Sequence, residues 1–147
     1  MKYAYDRGFK KVAVSMPFCG MICKLSHKPM EKVIDKIKIP SGVVVREFSI
    51  VGYVGEQIKV KEISPENPCD RAMLVLHGGG FGYKTAPSQL LHACRYAKSL
   101  HCRAYLVDYH LLPDYPFPAA YEDAMAAYRY MVTHATELDI NPDKIIV

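Results

Sequence analysis

An unbroken apolar run ending in three glycines constrains this chain more than any other stretch. Ala72-Met73-Leu74-Val75-Leu76 has strand length and no polar interruption, and His77-Gly78-Gly79-Gly80-Phe81 follows at once. That pattern fits a parallel strand covered on both faces, which would deliver the glycines to the edge of a sheet. Without Cβ atoms the turn can enter positive φ and lie close to whatever sits above it. What it then presents is backbone N–H, and fixed donors aimed at a developing oxyanion are each worth roughly 10²–10³ in rate in acyl transfer. The same glycines also fit a plain βα turn without chemistry. A dinucleotide frame does not close, because Tyr83 and Thr85 stand where G-x-G-x-x-G needs its last glycine.

The surrounding pattern alternates strand and helix. Val43–Val51 is rich in β-branched residues and reads as a strand, and Ile58–Ile63 alternates as a strand with one wet face, so the two make an antiparallel edge pair. Pro87 and Ser88 open a helix to about Leu100, with Leu90, Leu91, Cys94, Ala97 and Leu100 on one stripe, His92 on the wet side and His101 at the cap. Cys102–Val107 is the next strand. A second helix starts near Pro118 or Ala119, and its stripe Ala120, Ala124, Ala127, Tyr128, Met131, Ala135 and Leu138 runs for five turns, with Glu122 and Asp123 in the first. Lys144–Val147 begins another strand. The expected fold class is therefore α/β, a mostly parallel sheet with helices on both faces.

Upstream the pattern is weak. Phe9, Val12, Val14 and Met16 suggest helical fragments, and Pro40-Ser41-Gly42 punctuates the chain. Residues 1–40 are expected to form a cap or packing segment and residues 41–147 the main domain. The apolar stretch Val12–Cys23 holds twelve residues, interrupted by Pro17 and Gly20 and followed by no small-x-small site. It reads as neither a bilayer span nor a signal-peptide core.

Composition excludes several classes. The 147 residues suffice for one domain, half are hydrophobic, and the net charge of +4 comes from scattered lysines and arginines rather than a basic stripe. Five cysteines without C-x-x-C spacing suit a reducing, cytoplasmic setting and read as small buried hydrophobes. No histidine pattern suggests a metal, and no cofactor is expected.

Two segments carry a resemblance. His77-Gly78-Gly79-Gly80-Phe81 and the run from Asp108 to Asp123 (DYHLLPDYPFPAAYED) are similar to the motifs of the hormone-sensitive-lipase-like group of α/β-hydrolases, the alpha/beta hydrolase fold-3 esterases and lipases. The second departs from the family's D-Y-R-L-A-P-E-x-P-F-P-A-A-x-E-D at His110, Leu112 and Asp114. The resemblance covers Val43 to Val147. It implies that Gly79 and Gly80 supply oxyanion donors, that Gly78 and His77 support the turn, and that Phe81 lines an acyl or alcohol pocket, though plain packing explains Phe81 equally well. It also implies that Asp108, Tyr109, Glu122 and Asp123 tie the loop to the glycine turn, and it leaves the family's ion pairing in doubt where His110 replaces arginine.

The family's chemistry needs a serine in G-x-S-x-G, then an acid and a histidine. None of Ser15, Ser26, Ser41, Ser49, Ser64, Ser88 and Ser99 has that setting. The resemblance puts the nucleophile just after the strand that begins at Lys144, so the chain reads as the N-terminal part of the fold, truncated before the elbow and without its triad. Three readings stay open: the oxyanion-bearing portion of an ester hydrolase, a non-catalytic partner assembling through its unpaired sheet edge, or an anion-binding module. Expected partners are a small-molecule ester in the complete enzyme, no nucleic acid and no membrane, with a homo-oligomer left open.

Overall fold

A computed structural model describes residues 20–147. The fragments expected around Phe9 to Met16, most of the Val12–Cys23 stretch, and Cys19 lie outside the described residues.

Among the described residues five strands form one sheet: β1 (Val43–Val51), β2 (Gln57–Pro65), β3 (Ala72–Leu76), β4 (Arg103–Asp108) and β5 (Ile145–Ile146), in the order β1-β2-β4-β3-β5. β1 and β2 make the expected antiparallel pair, β2 meets β4 antiparallel, and β3 lies parallel to both β4 and β5. Among the described residues three α-helices accompany them, α1 (Gly20–Ile34), α2 (Pro87–Leu100) and α3 (Ala119–Thr133). The chain runs from β3 through α2 to β4, then through α3 back across β3 to β5. Right-handed crossovers in opposite directions put α2 and α3 on opposite faces, and two cores result. Leu90, Cys94 and Ala97 of α2 pack with Ile63, Ala104 and Leu106. Ala127 and Met131 of α3 pack with Ile58, Leu74 and Val107.

This reversal fixes the place of the site. Leu76 pairs with Val107, so His77 and Asp108 leave the carboxyl ends of adjacent parallel strands at the same level, between helices that depart to opposite faces. Crevices at such switch points are where open α/β sheets bind ligands.

Several details depart from the sequence pattern. The lysine-bearing face of β2 is only partly wet: Lys59 and Lys61 both pair with Glu47, while Ile63 on the same face is fully buried. The period-2 rule gave the correct faces, but α1 and α2 roof the side taken for solvent. On α2, Leu100 is exposed and Ala93 buried, because the helix ends there, with His101 in the left-handed region as its cap. α3 stops at Thr133. Ala135 and Leu138 continue in turns, in which the Leu138 N–H donates to His134 O and the Ile140 N–H to Ala135 O.

α1 was not legible as a helix. It carries Pro29 internally and buries only Cys23 and Ile34, so no apolar stripe announces it. Ile34 joins the α2-side core. Of the four described cysteines, all free, Cys23, Cys94 and Cys102 are buried. Cys69 instead lies 3.4 Å from Arg71 Nε.

Candidate active site

The turn after β3 is built from backbone that only particular residues tolerate. Gly79 and Gly80 have φ of +141° and +58°, and Phe81 follows at +58°. A Cβ on Gly79 would lie 2.7 Å from Tyr83 O. The Gly79 carbonyl accepts from both Gly82 and Tyr83 N–H at 3.1 Å, and the Phe81 carbonyl accepts from Leu112 N–H at 2.8 Å. That second bond holds a non-glycine residue in the left-handed region, where strain runs to roughly 1–2 kcal/mol. Among the described residues, the N–H groups of Gly79 and Gly80 donate to nothing. The turn thus uses its Gly79 and Phe81 carbonyls for internal support and leaves the Gly79 and Gly80 amides unengaged.

His77 and Tyr109 brace the turn from the strand ends. Their rings stack with centroids 4.3 Å apart, and the Tyr109 hydroxyl donates to the His77 carbonyl at 2.5 Å. His77 Nδ1 lies 3.0 Å from Gly78 O and donates to it. Its Nε2 is buried without a partner among the described residues. Burial pushes the imidazole below its ordinary value, so the ring stays neutral. Both tyrosine and histidine therefore hold the backbone rather than carry charge. Asp108 adds an ionic tie, accepting from Lys84 Nζ at 2.9 and 3.0 Å, and Lys84 lies 3.4 Å from Glu31 of α1. α1 reaches the turn directly as well, since His27 Nε2 donates to Gly82 O at 2.8 Å.

The acidic pair on α3 divides its work. Asp123 is fully buried and accepts from Tyr53 N–H, His110 N–H and His110 Nδ1 at 2.7, 2.7 and 2.8 Å. It thereby ties the Tyr53–Gly55 turn to the 108–115 loop, and not to the glycine turn as the sequence suggested. Glu122 takes no part; it lies 4.0 Å from Arg129. Where the family motif has arginine, His110 sits between Asp123 and Glu56, its Nε2 3.3 Å from the latter. It also packs on Tyr115, whose hydroxyl donates to Glu56 at 2.6 Å.

Beside the turn lies a cavity of about 580 Å³ lined mainly by Leu76, Phe81, Tyr109, Leu112, Phe117 and Tyr121. Phe81 stands at its rim, 59% exposed. A larger open groove of about 790 Å³ runs between β1 and α3, past Tyr53 and Arg129, and includes none of the glycine-turn residues. The chemistry available at the turn is donation by two amides beside an apolar pocket. His27 escaped the sequence reading because α1, which carries it, was not revealed by the pattern, and Lys84 because no local period records its pairing with Asp108.

A sequence profile described as the alpha/beta hydrolase fold matches residues 73–147. An AB hydrolase superfamily protein of Schizosaccharomyces pombe is 38% identical over 115 residues, covering 75% of this chain and 29% of that protein. Hormone-sensitive lipase of Mus musculus is 32% identical over 98 residues, 66% of this chain and 13% of the lipase. Among solved structures, a bacterial heroin esterase superposes with a TM-score of 0.75 at 27% identity, covering 95% of this chain and 46% of that one. The chain therefore spans less than half the length of each of these relatives.

Proposed function

The chain belongs to the alpha/beta hydrolase fold family, and from that premise we propose that it is the oxyanion-bearing portion of a carboxylic-ester hydrolase. In that reading a serine nucleophile attacks the ester carbonyl, its proton passes to a histidine and on to the departing alkoxide, and the carbonyl oxygen gathers negative charge. The Gly79 and Gly80 N–H groups donate to that oxygen. Each such donor is worth about 10²–10³ in rate, because it is already oriented when the charge forms. Phe81 and the apolar cavity beside it receive the acyl or alcohol group. The serine, acid and base are supplied by residues other than these 147, since no serine here sits in G-x-S-x-G. The observation that carries the reading is that the Gly79 and Gly80 amides are unengaged in a turn whose Gly78, Gly79 and Phe81 carbonyls accept supporting bonds.

The test is complementation. The 147-residue chain alone is expected neither to hydrolyse p-nitrophenyl butyrate nor to react with a fluorophosphonate probe. Mixed with a separately produced polypeptide carrying the elbow serine, acid and histidine of the same fold, it is expected to give esterase activity that falls with Gly79→Ala, whose Cβ would meet Tyr83 O and turn the amide out of place. Stoichiometric labelling of any serine in this chain would contradict the assignment.

A second reading is a non-catalytic assembly partner. It is favoured by the short β5, which pairs only with β3 among the described residues and leaves Ile146 and Val147 exposed. An open strand edge is a pairing template. A stable complex with the complementing polypeptide that shows no turnover would select this reading.

A further inference from the structure

α1 has two faces, and the outer one is not explained by the fold. Cys23 and Ile34 point into the protein, while Met21, Ile22, Leu25 and Val33 are 70%, 47%, 71% and 50% exposed. At 100° per residue these four lie together on the outward side. Lys24, Lys28 and Lys32, spaced four apart, form a row that starts on one flank of that apolar strip and drifts into it at Lys32. Lys24 pairs with Asp114. Lys28 and Lys32 are exposed and have no carboxylate partner among the described residues. Glu31, the one acid within the helix, lies 3.4 Å from Lys84 with its side chain 52% exposed. Single exposed apolar residues are ordinary, but four on one short helix face mark a contact surface.

We propose that the outer face of α1 docks in the plane of an anionic lipid surface, with Met21, Ile22, Leu25 and Val33 in the headgroup boundary and Lys28 and Lys32 against lipid phosphates. An apolar strip flanked by lysines is the pattern of an interfacial helix. The like-charged lysine row disfavours a second copy and favours a negative surface. The helix lies flat, because its fifteen residues are too few to cross a bilayer. No helix among the described residues is long and apolar enough to do so. His27 donates to Gly82 O, so docking would hold the glycine turn beside the lipid, whatever chemistry the turn performs.

Co-sedimentation of the 147-residue chain with vesicles tests this. The chain is expected to pellet with phosphatidylcholine–phosphatidylglycerol vesicles and far less with phosphatidylcholine alone, and added salt should release it. Lys28→Gln with Lys32→Gln should weaken partitioning about 30-fold. Met21→Ser with Leu25→Ser should weaken it at least about tenfold. Circular dichroism checks that each variant is folded, and the single changes Lys32→Gln and Leu25→Ser give the same reading if a double variant is not. Failure to pellet with the anionic vesicles, or pelleting unaffected by the serine variants, overturns the proposal. So does a concentration-dependent dimer that the serine variants abolish, which would assign the face to a second copy.

Discussion

On the α3 side of the glycine turn, the 108–115 loop is held by a fully buried carboxylate that satisfies three donors. On the α2 side, α1 is held by a histidine-to-carbonyl bond and by ion pairs open to water. Asp123 keeps no contact with solvent, whereas the Lys24 and Asp114 side chains are 59% and 45% exposed. A buried acceptor cannot be removed without stranding its donors. An exposed pair exchanges readily with water and is screened by salt. The two flanks support the same turn, but one is a fixed wall and the other a strap that can loosen at small cost.

The comparison can be broken most decisively at Asp123. Asp123→Ala strands Tyr53 N–H and both His110 donors, and unfolding by urea should show a loss of about 3–5 kcal/mol. A loss below 1 kcal/mol would mean that water reaches this carboxylate, and the contrast between the flanks would fail. Gly79→Ala comes next. It sets a Cβ against Tyr83 O at a φ that only glycine holds easily, and should cost about 1–3 kcal/mol.

Acid should act through the same wall. Burial depresses His77, so below the ordinary imidazole value of about 6.5 the unfolded chain binds a proton that the folded chain resists. This contribution is fully present above that pH and is lost as pH falls through it. Melting temperature should drop between neutral and mildly acidic pH, and His77→Asn should flatten that drop. The smallest effect belongs to the strap, where Lys24→Ala should cost at most about 1 kcal/mol and even less in high salt.

The same contrast explains what the sequence revealed. The β3 run, the glycines, the β-branched content of β1 and the alternation of β2 are local patterns, and they gave the architecture and the turn. The loop motif tied Tyr109 and Asp108 to the glycine turn, where the structure adds the partners that the motif did not name, His77 and Lys84. It misplaced Asp123, because the donors that reach it come from Tyr53 and His110, and no local period records which distant amide a carboxylate will meet. α1 was lost for the opposite reason: its outward apolar face and internal Pro29 break the rule that links a helix's hydrophobic stripe to the core.

Amide hydrogen exchange at Gly79 and Gly80 tests the central claim most directly. The account predicts that both exchange near the unprotected rate while Leu74 and Leu106, in paired strands, exchange orders of magnitude more slowly. Protection of Gly79 and Gly80 comparable to that of the strands would mean that their N–H groups already have partners, and would contradict a turn that holds two donors ready for an oxyanion.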